Sequence, residues 1–238
     1  MPEQNAPDGP VPAFDAVILA GGGASRLGGA DKPALRIGGR SLLDAALDAC
    51  VGARRTVVVG PDRPVGREVL WTRERPPGAG PAAALAAGMA AGAAVGTVAG
   101  NTEGLSTCAS PLTIVLAADL PFIDAEVIHR LWKTVAHSAP SDAGRVDRDP
   151  AEGEVVDGAV AVDESGRAQW LTACYRRSAL LDRISAFPSD RLIGLSLRRL
   201  LSGLRLAEVQ VSARAAFDCD TWEQVEAARG MEPRAHLE

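Results

Sequence analysis

The chain alternates apolar runs of strand length with longer stretches in which apolar residues return every three or four positions. Short continuous apolar runs bounded by turn residues read as buried strands, and the 3.6-residue return reads as helix. Residues 14–20, FDAVILA, predict a first buried strand that leads into a glycine-rich loop. Ser41 then caps a helix whose apolar stripe is Leu42, Leu43, Ala46, Leu47 and Cys50. RTVVV at 55–59 and EVLWT at 68–72 predict two further strands, with Gly60-Pro61-Asp62 turning between them. Pro81 suits the first turn of a helix that AAALAAGMAA continues. LTIVLAA at 112–118 is a strongly apolar strand that runs into Asp119, and Asp124 caps a helix over 124–137. Residues 155–162 and 168–175 predict a strand pair across the DESGR turn. Helices near 176–186 and 195–202, a strand at 205–211 and a helix after Asp220-Thr221 complete the pattern.

Strand–helix alternation with strands apolar on both faces predicts an α/β fold of three layers, Rossmann-like, around a mostly parallel central sheet. The boundaries implied are a disordered tail at 1–13, a single domain over 14–229 and a C-terminal tail at 230–238. Two polar or Gly/Pro-rich stretches, 96–111 and 138–154, read as surface insertions because they exceed ordinary connection lengths. In such sheets ligands bind beyond the carboxyl ends of the strands. The glycine loop and Asp119 both follow strands, so they are expected in one crevice.

Composition narrows the function classes. A hydrophobic fraction of 47% with only 4% aromatics means a core built from Ala, Val and Leu. The net charge of −5 argues against a general nucleic-acid binder, while leaving room for a local basic pocket. Cys50, Cys108, Cys174 and Cys219 form no C-x-x-C pair, so neither zinc nor a disulfide framework is indicated. His129, His137 and His236 form no metal motif. The Ala-rich run at 81–100 is broken by glycines and lacks large apolar residues, and MPEQNAPDGPVPAF lacks an apolar signal core. No membrane association and a cytoplasmic location are therefore expected.

The most informative stretch is LAGGGASRLGGADK at 19–32. Gly21, Gly22 and Gly23 let backbone amides approach phosphate oxygens, and Arg26 and Lys32 supply fixed positive charge. It is not a P-loop, because Asp31 precedes Lys32 and Pro33 follows it; the dinucleotide fingerprint fails at Arg26. Asp119, at a strand end and followed by LPF, is a candidate Mg²⁺ ligand. PPGAGP at 76–81 is a second rigid loop, suited to wall a base and ribose or to serve as a plain connection. Glu74 is its nearest acid, placed to meet ribose or guanine. Two near-matches to a serine nucleophile motif both lack the final glycine, and phosphoryl transfer needs no such group.

Together the runs at 19–32, GAGP at 78–81, AADLPF at 117–122 and DCDTWEQ at 218–224 resemble, in the same order, the MobA-like nucleotidyltransferases. The resemblance spans about residues 14 to 229 and is nearest to the molybdenum cofactor guanylyltransferases. It implies a nucleotidyltransferase fold and transfer of GMP from GTP to molybdopterin, with Mg²⁺ as cofactor and pyrophosphate released. By the family pattern Leu19, Ala20, Gly21 and Gly22 line the nucleotide, and the reading of the two loops adds Gly23, Glu74, Gly80 and Pro81 as nucleotide-binding candidates. The pattern also implies that Lys32 binds the phosphates, beside Arg26, that Asp119 holds the metal, and that the Asp218–Asp220 segment lies near the acceptor or the metal; aspartate where the family commonly has asparagine makes Asp220 a candidate second metal ligand. Proteins that deliver the cofactor are implied as transient partners. The chain departs from the pattern before the second loop, where Arg75-Pro76 replaces an expected aspartate. CTP, or another phosphate acceptor, stays open as an alternative, as does a nucleotide-binding module without catalysis. On the late strand pair, Arg167, Gln169, Trp170 and Tyr175 fit either a pterin-facing surface or core and rim positions.

Overall fold

The computed structural model describes residues 14–21, 27–94, 109–138 and 155–231. The expected tail at 1–13, Gly22, Gly23, Arg26, Cys108, His236 and nearly all of the two expected insertions lie outside those residues.

Seven strands form one sheet: β1 (Phe14–Leu19), β4 (Ala53–Val59), β5 (Leu70–Thr72), β6 (Leu112–Ala117), β7 (Gly158–Val162), β8 (Ala168–Arg176) and β9 (Leu206–Gln210). A two-stranded ribbon pairs β2 (Arg36–Ile37) with β3 (Arg40–Ser41). The helices are α1 (Leu42–Ala49), α2 (Pro81–Ala94), α3 (Ala125–His137), α4 (Arg177–Ser185), α5 (Leu197–Leu200) and α6 (Trp222–Met231). The large sheet runs in the order β5-β4-β1-β6-β8-β7-β9. Every neighbouring pair is parallel except the two that include β8. The three-layer, mostly parallel arrangement read from the sequence is the one observed.

Period-2 alternation divides the strands between the two faces. Ala16 and Ile18 of β1, Ile114 and Leu116 of β6, and Ala159 and Ala161 of β7 pack into one core with Leu43 and Leu47 of α1 and Ile128 and Leu131 of α3. Val17, Leu19, Val115, Val160 and Val162 point the other way, against Leu85 and Met89 of α2, Leu180 of α4 and Leu200 of α5. Both faces are covered, which is why these strands read as unbroken apolar runs. A third cluster joins Leu27, Ile37, Leu42 and Phe122 to Cys219 and Val225, and so seats α6 beside the carboxyl edge.

Local chemistry matches the expected helix starts. Ser41 accepts from the Asp44 amide in a reciprocal capping box, and Asp124 accepts from the Val127 amide at 3.0 Å. Several elements are shorter than the periodicity suggests. The strand expected at 68–72 pairs only from Leu70, where β4 offers Val57 as its partner. The helix expected at 195–202 lasts one turn, from the Ser196 cap to a stop before Gly203 at φ 89°. The β2–β3 ribbon has no counterpart in the sequence pattern, because two-residue strands carry no periodic signal. Among the described residues no helix is long and apolar enough to cross a membrane. Cys50, Cys174 and Cys219 are buried and unbridged.

The small residues of α2 let it lie close on the sheet. A Cβ on Gly88 would stand 2.5 Å from Val17 Cγ1 and 2.9 Å from Val59 Cγ2. Gly88→Ala should therefore destabilise the fold by about 1–3 kcal/mol despite the better helix propensity of alanine. Urea denaturation checks this, and adding Val17→Ala should recover part of the loss.

Candidate active site

The carboxyl ends of β1, β4 and β6 lie side by side. Leu19 is level with Val59 on one side and with Ala117 on the other. The backbone locks this edge: the Ala20 amide donates to Val59 O at 2.8 Å and the Ala118 amide to Leu19 O at 3.0 Å. Gly60 closes the corner. A Cβ there would fall 2.6 Å from Ala20 O, so only glycine lets β4 end this close to the start of the glycine loop.

The chain returns to this edge at Lys32, which opens a single 3₁₀ turn over Lys32–Ala34 with Pro33 buried. A turn this short carries little dipole, so the usual objection to a lysine at a helix start does not apply. Lys32 Nζ donates to Asp119 Oδ2 at 2.8 Å and also to Asp220 Oδ1. Lys32, the last residue of the glycine-rich run, thus meets Asp119 at the carboxyl edge of the sheet. Asp220 arrives from the opposite end of the chain.

Electrostatics follow from this crowding. The Lys32 side chain is only 18% exposed. Burial opposes its charge, but the charges of Asp119 and Asp220 and their hydrogen bonds outweigh that penalty and hold the ammonium above the ordinary lysine range. Asp218 is pushed up by burial first, then by the negative charges of Asp220 and Asp119, with Lys32 and Arg167 opposing. The Cys219 thiol between the two aspartates is pushed up to about 11, chiefly by burial. The Cys219 amide donates to Asp119 O at 3.1 Å, which stitches the 218–220 segment to the end of β6.

No group of three or more His, Cys, Asp or Glu residues is arranged as a metal cage among the described residues. What is present is a pair of carboxylates, Asp119 and Asp220, converging on one cation. Hard oxygen donors in that number suit Mg²⁺, which keeps waters and substrate oxygens in its shell. The donor set therefore fits the metal that the sequence motifs imply.

Other expected site residues are placed as follows. Leu19 and Ala20 are buried, so only their backbone can meet a ligand, while Gly21 is exposed at the mouth of the loop. Gly80 accepts the first hydrogen bond of α2, from the Ala84 amide at 3.0 Å, and Pro81 is exposed beside it. Glu74 is turned inward. Its Oε1 accepts from the Gly78 amide at 2.8 Å and its Oε2 is enclosed with no hydrogen-bond partner among the described residues, so it shapes the loop from within. Tyr175 is fully buried, its hydroxyl donating to Trp170 O at 3.1 Å, which makes it a core residue. Arg167 lies in the β7–β8 turn, close enough for its charge to act on Asp218. A cavity of about 270 Å³ lined by Arg40, Asp48, Phe122, Asp124 and Arg214 shares no residue with the Lys32 cluster.

Two side chains near the site, Arg63 and Gln224, are given no role by the sequence motifs. Arg63, in the loop after β4, holds the Asp31 carboxylate in a bidentate pair and also donates to Pro61 O at 2.7 Å. It clamps the residue next to Lys32, and no local pattern announces it. Gln224 holds the 218–221 segment, and the T-x-x-Q spacing of a capping box is its visible signal.

A family profile described as MobA-like NTP transferase domain matches residues 16–209. Solved structures of similar fold include molybdopterin-guanine dinucleotide biosynthesis protein A from Archaeoglobus fulgidus, 19% identical over 91% of this chain and 97% of that one, with a TM-score of 0.58. They also include 2-C-methyl-D-erythritol 4-phosphate cytidylyltransferase from Thermus thermophilus, at 20% identity, 91% and 98% coverage and a TM-score of 0.58. A nucleotidyl transferase from Methanothermobacter thermautotrophicus is 18% identical over 91% and 96%, with a TM-score of 0.60. No curated protein matches the chain in sequence.

The Arg63 pair has a pH signature. Its hydrogen bond and charge hold the Asp31 carboxyl below the ordinary range. A depressed folded-state value adds stability above the unfolded value, and that contribution is lost as pH falls through the folded one. Asp31 is half exposed, so the Asp31→Asn variant should lose under about 1 kcal/mol at pH 7. The gap from wild type should persist to about pH 4 and close below it. Urea titrations from about pH 3 to pH 7 read this directly.

Proposed function

The chain belongs to the MobA-like NTP transferase family, and from that membership and the Lys32 cluster we propose that it transfers GMP from GTP to the phosphate of molybdopterin. The observation that carries the reading is the Lys32 ammonium set between Asp119 and Asp220 at the carboxyl edge of β1 and β6. That edge is where a nucleotide sits in sheets of this kind.

The reaction is an in-line displacement. An oxygen of the acceptor phosphate forms a bond to the α-phosphorus, the bond from that phosphorus to the α–β bridging oxygen breaks, and pyrophosphate leaves with the electron pair. No protein nucleophile is needed, so rate comes from positioning and charge. The backbone of Leu19, Ala20, Gly21, Gly22 and Gly23 would line the triphosphate. Arg26 and Lys32 would offset the charge that grows on the departing pyrophosphate. Gly80 and Pro81 would wall the base, with Glu74 fixing the loop that carries them. Asp119 and Asp220 would hold Mg²⁺, which when bound supplies Lewis-acid polarisation of the phosphate oxygens.

One observation favours a competing nucleotide. With Glu74 turned inward, the stretch RPPGAGP at 75–81 has no acid to accept from the N–H groups of guanine. CTP is therefore the second candidate donor, and a different phosphate acceptor goes with it.

A thermal-shift panel of GTP, CTP, ATP and UTP with Mg²⁺ tests the donor. Ligand at about 100 times its Kd stabilises by roughly 2.7 kcal/mol. Stabilisation by GTP above the others supports guanylyl transfer, and a CTP preference overturns it while keeping the reaction class. In pyrophosphate-release assays with a molybdopterin acceptor, Lys32→Ala and Asp119→Ala should each lower kcat by roughly 10²–10³-fold with the fold intact. Near-wild-type turnover in either variant refutes the assigned role.

A further inference from the structure

One side chain organises the segment that brings Asp220 to the site. Gln224 Oε1 accepts from the Asp220 amide at 2.8 Å and from the Thr221 amide at 2.9 Å. Gln224 Nε2 donates to Asp218 Oδ1 at 2.9 Å. Only one orientation of the amide serves all three bonds, because two backbone donors need an acceptor and a carboxylate needs a donor. The Gln224 amide also donates to Thr221 Oγ1 at 3.3 Å, closing a capping box at the start of α6.

The capping box alone does not require glutamine. Glutamate fills the same position in such boxes and is the better partner for a helix N-terminus. What glutamate cannot do is donate to Asp218. That donor is the contact by which one amide holds both Asp218 and the backbone of Asp220. The Nε2 bond ties the Asp218 side chain to α6, while Oε1 of the same amide holds the Asp220 backbone two residues on.

We propose that Gln224 is a positioning residue for nucleotidyl transfer, whose amide, acceptor on one side and donor on the other, orients Asp218 and Asp220 against Lys32. The inference rests on the reading of this cluster given under Proposed function. It concerns the polarity of one hydrogen bond and not the helix cap, and the two separate by substitution.

The test uses the full chain with three variants. Melting temperature, Mn²⁺ binding in the presence of the preferred nucleotide by electron paramagnetic resonance, and steady-state kcat and KM are read for each. Gln224→Glu keeps the cap and loses the donor. It should melt within about 3 °C of wild type, bind Mn²⁺ roughly ten-fold more weakly and lose roughly 10–100-fold in kcat/KM, the range expected when a residue orienting a metal ligand is removed. Asp218→Asn combined with Gln224→Glu reverses the polarity of the bond, since the introduced amide donates and the introduced carboxylate accepts, and should recover about ten-fold of that loss. Thr221→Ala removes the cap and leaves both contacts of Gln224 to the aspartates. It should melt lower by about 2–4 °C with Mn²⁺ affinity retained.

Wild-type Mn²⁺ binding and turnover in the Gln224→Glu variant would overturn the proposal and leave Gln224 a cap only. So would a loss of Mn²⁺ affinity in Thr221→Ala equal to that in Gln224→Glu. Should Gln224→Glu lose the fold, the double variant decides: recovered Mn²⁺ binding supports the proposal and continued loss overturns it. The underlying reading is checked separately by the wild type. Without nucleotide-dependent Mn²⁺ binding or pyrophosphate release there, the proposed function falls first and takes this inference with it.

Discussion

An ammonium held between two carboxylates ties together parts of the chain separated by 87 and 188 residues. The arrangement is electrostatically unbalanced. Lys32 brings one positive charge against Asp119 and Asp220, with Asp218 adding to the negative field. Arg167 opposes that field from the β7–β8 turn. A divalent cation bound there, as proposed above, would add the positive charge that a triphosphate favours. The cluster thus links the two roles proposed for its members, since the same carboxylates that hold Lys32 are the ones suited to the metal.

The sheet order is what makes this convergence possible. β1 lies between β4 and β6, so the residues that leave its end meet the ends of both neighbours. β8 runs antiparallel between β6 and β7, which sends the 163–167 turn and Arg167 back to the same edge. β9 runs parallel to β7 and so also ends there, and the chain beyond it carries Asp218 and Asp220 to Lys32. Small residues do the rest. Gly60 lets β4 close on Ala20, and Gly88 lets α2 lie against Val17 and Val59.

A guanine dinucleotide biosynthesis protein and a cytidylyltransferase, both at about a fifth identity, share this architecture, and a shared fold does not decide base or acceptor. In this chain the loop before α2 has its acid folded inward on Gly78, and the exposed β7–β8 turn with Arg167 borders the same edge.

The amino-acid sequence by itself determined the order of the seven sheet strands and six α-helices among the described residues, the three layers and the family. Apolar runs of strand length, cap residues such as Ser41 and Asp124, and the spacing of LAGGGASRLGGADK are local signals, and local signals survive in one dimension. It also named Lys32, Asp119 and Asp220, each from its own motif. Only the tertiary structure decided that one ammonium bridges both aspartates, that Glu74 faces inward, that Tyr175 is core, and that Arg63 clamps Asp31 from a neighbouring strand end. Those facts are distances between residues remote in the chain. Such distances depend on strand order and loop path, which periodicity does not encode. Gln224 stands between the two cases. Its capping-box spacing is legible along the chain, but the bond to Asp218 exists only once the segment has folded back on α6.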